Sequence, residues 1–313
     1  MHITNTSSVS FVLLGFSDFP WIQTHLFLLF LSMYLVTLVG NMVLLFCIAY
    51  NHHLHSPMYF FLGNLSLADI GFTSSTIPSL LSSLIVNRRF LSFPNCITQM
   101  FFFITFGNLE NNLLAIMAYD RYVAICSPLH YATQLRSHWC VVLVIISWVG
   151  ACSHSLLHTL MAVNLSFSGV KQVDHFFCEI SRVLSISSSD TSTNYTLILT
   201  EGAASVGVPF VCIILSYALI LRALLQLHTV DGRQKAFSTC SSHLITVCIF
   251  YGTIVSVYFC PYASTSRVVE RAATIGYTLL TPMLNPIIYG LRNNAMKAGF
   301  KRMIKWKTKS KRA

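Results

Sequence analysis

Long apolar stretches dominate the chain and recur at short intervals. Seven of them are long enough to cross a bilayer, since a membrane helix needs about 20 predominantly apolar residues. Their approximate limits are 25–50, 57–83, 96–126, 139–162, 195–227, 237–262 and 272–291. None shows the strict alternation of a membrane barrel strand. The pattern predicts an all-α membrane protein, a seven-transmembrane helix bundle without a separate soluble domain.

The composition agrees with embedding in lipid. Of the 313 residues, 54% are hydrophobic and only 10% are charged, whereas a soluble domain has about 25% charged residues. With so few charges the chain could not cover a water-facing surface. Membrane embedding is therefore the simplest interpretation of the composition.

Lysine and arginine are distributed unevenly between the two sides of the predicted bundle. The segment 292–313 carries nine of them and no acidic residue, whereas the segment 1–23 carries none. Because cytoplasmic segments are enriched in these residues, we expect an outer N-terminus and a cytoplasmic C-terminus. The chain then divides into an extracellular tail (1–24), a transmembrane domain (25–291) and a basic cytoplasmic tail (292–313).

The basic tail contains a helical pattern of apolar residues. Met296, Phe300, Met303 and Ile304 recur on one face, and the basic residues occupy the other faces. This predicts a short amphipathic cytoplasmic helix lying on the inner leaflet. Contact with anionic membrane lipid is the preferred interpretation of its charge, and binding of nucleic acid is not indicated.

Two features are typical of an outward-facing surface. Asn5 begins a glycosylation acceptor sequence in the outer tail. Cys96 and Cys178 lie at the start of the third span and in the long outer loop, where an oxidising compartment favours a disulfide between them. The first twenty residues lack a charged start and a long apolar core, so we expect the first span to act as an uncleaved signal.

The third span ends in an acidic residue followed by a basic one, Asp120 and Arg121. Ionisable groups at such depths are costly and are usually paired and functional. Glu110 lies eleven residues before Arg121 on the same helix face, about 16 Å away and hence near mid-membrane. Asp69 of the second span is the other acid at this depth. Facing carboxylates repel, so we expect either a neutral hydrogen-bonded pair or a cation between them.

Five segments at span boundaries form a very specific combination. They are Leu54–Tyr59 (Leu-His-Ser-Pro-Met-Tyr), Met117–Tyr131 (beginning Met-Ala-Tyr-Asp-Arg-Tyr-Val-Ala-Ile-Cys), Ser216-Tyr217, Lys235–Leu244 (Lys-Ala-Phe-Ser-Thr-Cys-Ser-Ser-His-Leu) and Pro282–Tyr289 (Pro-Met-Leu-Asn-Pro-Ile-Ile-Tyr). Together they resemble the olfactory receptor family of rhodopsin-like G-protein-coupled receptors, nearly from end to end. A non-olfactory receptor for another small ligand is the closest alternative.

The resemblance implies a function. A multi-pass receptor of the plasma membrane would bind a small volatile odorant and activate a heterotrimeric G protein of the stimulatory olfactory type, raising cyclic AMP. It implies no enzymatic activity and no cofactor besides a structural sodium ion at Asp69 and Glu110. A transporter would show internal repeats or paired broken helices, and an enzyme would show a nucleophile, metal or phosphate motif. The sequence shows none of these.

The resemblance also implies a set of switch residues near the inner face. Their role would be to couple the bundle to the G protein, with Asp120 holding Arg121 in the resting receptor. In the seventh span, Pro286 removes a backbone donor, and Asn285 can bind the freed polar groups to form a hydrated hinge. The implied switch positions are Asp120, Arg121, Tyr122, Tyr217, Lys235, His243, Asn285, Pro286 and Tyr289.

The implied ligand pocket lies in the outer half, between the third, fifth, sixth and seventh spans. Apolar walls with a few polar groups suit a small volatile molecule, although packing between helices is the alternative for each residue. The matching positions are Phe103, Ile104, Gly107, Asn108, Ser205, Tyr251, Ile254, Val255, Tyr258, Ile275 and Thr278. Receptors of this family usually have two further cysteines in the second outer loop, where this chain has Ser168 and Ser188. We therefore expect one outer disulfide and a looser loop.

Overall fold

Long helices follow the apolar stretches of the sequence. The computed structural model describes residues 10–16, 20–86, 89–167, 169–226, 230–258, 267–293 and 295–302. In chain order the helices are α1 (Gln23–Tyr50), α2 (Pro57–Val86), α3 (Phe93–Cys126), α4 (Tyr131–Gln134), α5 (Ser137–Val163), α6 (Ile180–Ser185), α7 (Ser192–Gln226), α8 (Val230–Tyr258), α9 (Arg267–Ile275), α10 (Thr281–Arg292) and α11 (295–302). A π-helical turn, Gly276–Leu280, joins α9 to α10, and the three together form the seventh segment. Asn5, Ser168, residues 303–313 and the side chains of Lys235 and Tyr258 lie outside the described part.

Length and apolar composition alone identify four membrane spans in the described chain. They are Pro20–Tyr50, Phe93–Cys126, Ser137–Val163 and Ser192–Gln226. Helix α2 is equally long but more polar, and its buried residues include Ser66, Asp69 and Thr73. These side chains face neighbouring helices, so α2 can cross a membrane without exposing them to lipid. The number of spans therefore depends on packing as well as on hydropathy.

Helix α3 occupies the centre of the bundle. It packs against α2, α5, α7 and α8. Its buried face carries Glu110, Asn111, Asp120 and Arg121. Outer helices instead expose large apolar side chains, such as Leu29 on α1 and Ile146 on α5. Polar groups thus face the interior and apolar groups face outward, as a lipid environment requires.

Three short strands cover one end of the bundle. They are β1 (Ser10–Leu13), β2 (Arg89–Ser92) and β3 (Val170–Val173), in the order β2-β1-β3. Strand β1 is antiparallel to β2 and parallel to β3. The expected extracellular tail is therefore ordered over Ser10–Leu13, because Phe11 and Leu13 are fully buried.

A disulfide connects this sheet region to the bundle. It joins Cys96 of α3 to Cys178, as the sequence predicted. Phe11, Leu91 and Val173, one from each strand, pack around the two cysteines. The long loop before α7 is thereby attached both covalently and by apolar packing.

An ion pair made by a buried arginine connects the seventh segment to the same loop. Arg271 of α9 is 2% exposed, and its Nη2 donates to Asp174 Oδ1 at 2.6 Å. Its guanidinium also lies 5.7 Å from the centroid of the Phe16 ring. One side chain therefore connects α9, the residue after β3 and the segment after β1.

Candidate functional site

An aromatic cluster surrounds Phe103, the predicted pocket residue nearest the start of α3. Its ring centroid lies 4.7 Å from that of Phe177, 5.0 Å from Phe72 and 6.3 Å from Tyr277. Phe177 directly precedes the disulfide cysteine Cys178. The covalently held loop therefore contributes one wall of the site, and α2 and the seventh segment contribute others.

Gly107 provides room beneath this cluster. A Cβ atom at this position would lie 3.0 Å from the Tyr277 hydroxyl oxygen and 3.3 Å from the Phe72 ring. Any larger residue would compete with these side chains for the same volume. The glycine thus permits the aromatic rings to approach α3 closely.

Two polar side chains of the predicted pocket, Asn108 and Thr278, form hydrogen bonds within their own helical segments. Asn108 Nδ2 donates to the carbonyl of Ile104 at 3.0 Å. The Thr278 hydroxyl donates to the carbonyl of Thr274 at 2.9 Å and is fully buried. Both side chains keep acceptor capacity, because an amide oxygen and a hydroxyl oxygen can each accept further hydrogen bonds.

The remaining apolar positions differ in exposure. Ile254 is 7% exposed, whereas Val255 is 52% exposed. Ile104 and Ile275 are partly buried and pack against the main core. The structure therefore brings Ile104, Ile254 and Ile275 together with the core and does not place Val255 in that buried group.

Asn111 joins three helices at the base of the predicted pocket. Pro209 interrupts α7 and has no N–H for the carbonyl of Ser205, four residues earlier. Asn111 Nδ2 of α3 donates to this carbonyl at 2.7 Å. Tyr251 of α8 in turn donates its hydroxyl to Asn111 Oδ1. The predicted residues Ser205 and Tyr251 thus meet through a residue that the sequence analysis missed.

The two mid-membrane acids are brought together as the helical positions predicted. Asp69 and Glu110 are 0% and 1% exposed, and their carboxyl groups are close enough to interact electrostatically. A direct hydrogen bond between them would require a proton on at least one carboxyl group. Asn285 Nδ2 lies 3.0 Å from each carboxylate oxygen of Asp69.

This cluster is rich in unsatisfied oxygen atoms. Glu110 Oε1 and Asn285 Oδ1 are buried and have no hydrogen-bond partner among the described residues. Oxygen atoms of carboxylates and amides are suitable ligands for a hard cation. The donor set therefore fits a sodium ion chemically, although no described group of three or more His, Cys, Asp and Glu side chains forms a metal cluster.

The carbonyl freed by Pro286 is bound by Asn41 and not by the expected Asn285. Pro286 leaves the carbonyl of Pro282 without its helical donor. Asn41 Nδ2 of α1 donates to this carbonyl at 3.1 Å, whereas Asn285 is engaged with Asp69. The expected role of Asn285 is therefore corrected, because its side chain faces α2 and the freed carbonyl faces α1. Gly40 makes this approach possible, since its Cβ would lie only 2.9 Å from Pro286 Cγ.

His243 connects three helices closer to the end of the bundle where Arg121 lies. Its Nε2 lies 3.0 Å from the carbonyl of Leu114 on α3, and its Nδ1 lies 2.8 Å from the Tyr217 hydroxyl on α7. Because a carbonyl can only accept, Nε2 carries the proton, and in the neutral ring Nδ1 accepts from Tyr217. Two predicted switch residues are thus in direct contact.

Asp120, near the end of α3, forms a hydrogen bond with Tyr131 of α4. Its Oδ1 accepts from the Tyr131 hydroxyl at 2.8 Å. Arg121 is 4% exposed, and its Nε has no hydrogen-bond partner among the described residues. Tyr131 of α4 thus uses one oxygen of the Asp120 carboxylate, and Asp120 also interacts electrostatically with the neighbouring Arg121.

Tyr122 and Tyr289 differ in their surroundings. Tyr289 is 1% exposed inside the bundle. Tyr122 is partly buried, and its ring lies 6.2 Å from that of Tyr119. Of these two tyrosines, Tyr289 is therefore the one buried inside the bundle, as Arg121 and His243 are.

His175, in the loop between β3 and α6, is buried without polar partners for its side chain among the described residues. His175 is 1% exposed, and its ring lies 4.5 Å from the Phe176 ring and 4.6 Å from the Phe177 ring. Neither ring nitrogen has a hydrogen-bond partner in the described chain. Burial lowers the pKa of His175 to about 3, with further contributions from the positive charges of Arg182 and Arg271. The ring is therefore neutral at physiological pH.

For some of these contacts the sequence predicts one partner but not the other. A proline inside a helix implies a freed carbonyl four residues earlier, as at Ser205 for Pro209 and at Pro282 for Pro286. The sequence does not say which side chain satisfies that carbonyl. Asn111 and Asn41 fulfil this role only because other helices bring them within reach.

Comparison with known sequences identifies the family. A family model described as "Olfactory receptor" matches residues 30–307. Olfactory receptor 1f45 of Rattus norvegicus is 48% identical over 99% of this chain and 100% of its own length. Olfactory receptor 1N1 of Homo sapiens is 48% identical over 96% of each chain.

Comparison with solved structures identifies the fold. The crystal structure of squid rhodopsin superposes with a TM-score of 0.72, covering 92% of this chain and 86% of the rhodopsin at 15% identity. The helices described above therefore form a seven-transmembrane bundle in a multi-pass membrane protein. Since the matches to olfactory receptors extend over nearly the whole sequence, this chain belongs to the olfactory receptor family.

Proposed function

We propose that this receptor binds a small volatile odorant in the outer half of its bundle and activates a stimulatory olfactory G protein, raising cyclic AMP. Membership of the family provides the coarser part, a small-molecule receptor that couples to a G protein and is not an enzyme. The proposed site lies between the Phe103 aromatic cluster and Asn111. The proposed orientation places the N-terminus outside and the C-terminus in the cytoplasm of a cell with this receptor in its plasma membrane.

The observation that supports this proposal most strongly is the continuity of polar contacts along α3. Asn111 contacts α7 and α8 beneath the aromatic cluster. Leu114, one turn further, accepts from His243, which in turn contacts Tyr217. A ligand that displaces α7 or α8 near Asn111 would therefore act on helices that are also joined closer to Arg121.

The functional test is cyclic AMP accumulation in cells exposed to an odorant panel. We expect at least one odorant to raise cyclic AMP in cells that display the receptor. The Arg121→Ala variant should lose the response at equal surface expression. Arg136→Ala, at an exposed arginine before α5, is the matched control and should respond like the wild type. Absence of any response despite confirmed display, or full signalling by Arg121→Ala, would contradict the proposal.

We also propose that Asp69 and Glu110 hold a sodium ion in place of their shared proton, with Asn285 Oδ1 nearby. Sodium chloride should then raise the melting temperature of the purified receptor more than choline chloride does at equal ionic strength. Asp69→Asn should remove this difference. If both salts act equally on the wild type, the acids form a neutral pair instead.

A further inference from the structure

A second cavity lies on the opposite face of α3 from the proposed odorant site. It has a volume of about 460 Å³ and is formed between α2 and α3. Its lining includes Ser75 and Ser79 of α2 and Gln99, Phe102 and Phe106 of α3. None of the predicted odorant-site positions lines it. Its size is within the range of small-molecule sites, about 300–1,000 Å³.

The cavity is open at the side of the bundle. Phe102 is 45% exposed, and Ser74 and Pro78 of the lining are also exposed. In a membrane-spanning bundle, an exposed side chain at this depth contacts lipid. A ligand would therefore enter from the bilayer rather than from the aqueous side.

Polarity changes in one direction along the cavity. On α3 the lining begins with Asn95, Thr98 and Gln99 and continues with Phe102 and Phe106 towards mid-membrane. Eleven residues separate its two ends, a length of about 16 Å along a helix. The polar end lies beside the disulfide, which is the outer end in the proposed orientation. The gradient matches an amphipathic molecule of the outer leaflet, with its polar group outward.

Ser79 provides an unsatisfied polar group in the wall. It is 4% exposed, and its Oγ has no hydrogen-bond partner in the described chain. Two other polar side chains of the lining are engaged: Gln99 contacts the Ser75 carbonyl and the Cys178 N–H, and Ser74 contacts Tyr34. A buried hydroxyl without a partner is costly, so a ligand hydroxyl at this position would remove a penalty.

The lining contains no charged residue. A phosphate or an ammonium group would lose its hydration here without gaining a counter-charge. The aromatic end offers the faces and edges of two rings to a rigid apolar body. An uncharged head and a rigid apolar body are the properties of a hydroxylated sterol.

We propose that this cavity binds a membrane sterol, with its hydroxyl group against Ser79 and its ring system along Phe102 and Phe106. The site is separate from the odorant site and does not depend on which G protein the receptor activates. It depends only on the proposed orientation of the bundle in the membrane.

Photolabelling of the full-length receptor tests this directly. The purified receptor is reconstituted in lipid nanodiscs with a photoreactive diazirine sterol, and labelled peptides are identified by mass spectrometry. We expect label on the α2 and α3 residues of the cavity, displaced by excess unlabelled sterol. Thr98→Trp should lower this labelling about ten-fold or more, because the indole would occupy the cavity. Thr200→Trp, at an exposed position of α7, is the matched control and should leave the labelling unchanged.

A separate variant tests the proposed contact between Ser79 and the sterol hydroxyl. Ser79→Ala should weaken sterol binding about two- to ten-fold, the contribution of one hydrogen bond. Ser83→Ala is the control, since the Ser83 hydroxyl already donates to the carbonyl of Leu80 at 2.7 Å. A melting curve for each variant shows that it is folded. Because binding is measured without signalling, a failed odorant assay would not affect the result.

Three results would overturn the proposal. One is absence of label from both helices in the wild type. Another is equal displacement by a sterane hydrocarbon that lacks the hydroxyl group. The third is displacement by a volatile alcohol but not by unlabelled sterol, which would assign the cavity to odorants.

Discussion

At the scale of single residues, two buried polar side chains differ in how their atoms are satisfied. Asn111 uses its amide nitrogen for Ser205 and its amide oxygen for Tyr251. The His175 ring has neither nitrogen bonded in the described chain. A fully bonded buried amide specifies one arrangement of helices, whereas a buried imidazole without hydrogen bonds leaves a donor and an acceptor unsatisfied.

The environment of His175 predicts a pH-dependent stability. The unfolded chain binds a proton at the ordinary pKa of 6.5, whereas the folded chain does so only at about 3. Stability from this residue is therefore fully present above pH 6.5 and is lost as pH falls towards 3. Between pH 6.5 and 5 the loss is about 2 kcal/mol.

Melting temperatures of the purified receptor measured across this pH range provide the test. His175→Phe should melt at least as high as the wild type at neutral pH and lose less stability on acidification. His130→Phe, at an exposed histidine, is the control and should keep the wild-type slope. An unchanged slope in His175→Phe would refute the assignment.

The contact between Tyr251 and Asn111 predicts a specific loss. Tyr251→Phe would leave Asn111 Oδ1 buried without a donor, at a cost of about 1–3 kcal/mol. The melting temperature and the odorant response should both fall. Tyr34→Phe is the matched control, because the Tyr34 hydroxyl contacts Ser74 at an exposed site. Equal melting temperatures for the two variants would argue against the role given to Asn111.

At the scale of helices, two interior prolines, Pro209 and Pro286, determine where a neighbouring helix attaches. Pro209 frees a carbonyl that α3 binds through Asn111, and Pro286 frees one that α1 binds through Asn41. In each case a carbonyl that lacks its partner within one helix accepts a hydrogen bond from a second helix. The breaks therefore connect the helices as well as loosening them.

A double-mutant cycle on α1 and α10 tests this principle. Asn41→Leu should destabilise the wild type by about 1–3 kcal/mol, because the Pro282 carbonyl loses its donor. Pro286→Ala restores an N–H that can bind this carbonyl within the helix. In that background Asn41→Leu should cost less, with a coupling energy of about 1 kcal/mol or more.

The measurement is the melting temperature of the four receptors in the cycle. Asn64→Leu is the control for the loss of an amide, since Asn64 contacts only the Phe60 carbonyl of its own helix among its described hydrogen bonds. Its effect should be the same with and without Pro286→Ala. Strict additivity of Asn41→Leu and Pro286→Ala would contradict the interpretation.

At the scale of the whole molecule, one end is covered by a layer that belongs to no single span. The strand β1, the loop through Cys178 and the seventh segment meet there through the sheet, the disulfide and Arg271. Phe177 extends from this layer to the Phe103 ring. This layer is therefore structurally continuous with the proposed odorant site.

Loss of the disulfide should weaken this whole layer. The bond connects residues 82 positions apart, and removing a native disulfide typically costs about 2–5 kcal/mol. Cys96→Ser and Cys178→Ser should each reduce the melting temperature and surface expression. Cys140→Ser, at a buried free cysteine, is the control and should have a smaller effect.

Intact mass under non-reducing conditions addresses the number of bridges. We expect one disulfide in the wild type and none in either serine variant. Two disulfides in the wild type would refute the single outer bridge predicted from Ser168 and Ser188.

The sequence by itself determined the helical membrane fold, the family and the pairing of Cys96 with Cys178. These follow from local properties, namely apolar length, short motifs and a count of cysteines in an oxidising compartment. It also brought Asp69 and Glu110 together, because helical spacing placed both at one depth. The spacing along each helix was enough to predict this pair, since the predicted ends of the two spans set the depth of each acid in the membrane.

Apart from this acid pair and the disulfide, only the tertiary structure decided which groups from different helices meet. It assigned the Pro282 carbonyl to Asn41 and not to Asn285, bonded Asp120 to Tyr131, and placed part of the tail in a buried sheet. It also revealed the unsatisfied Ser79 in a cavity open to lipid. Such contacts depend on the rotation and separation of neighbouring helices, which are set by side-chain packing over the whole bundle and have no local signature along the chain.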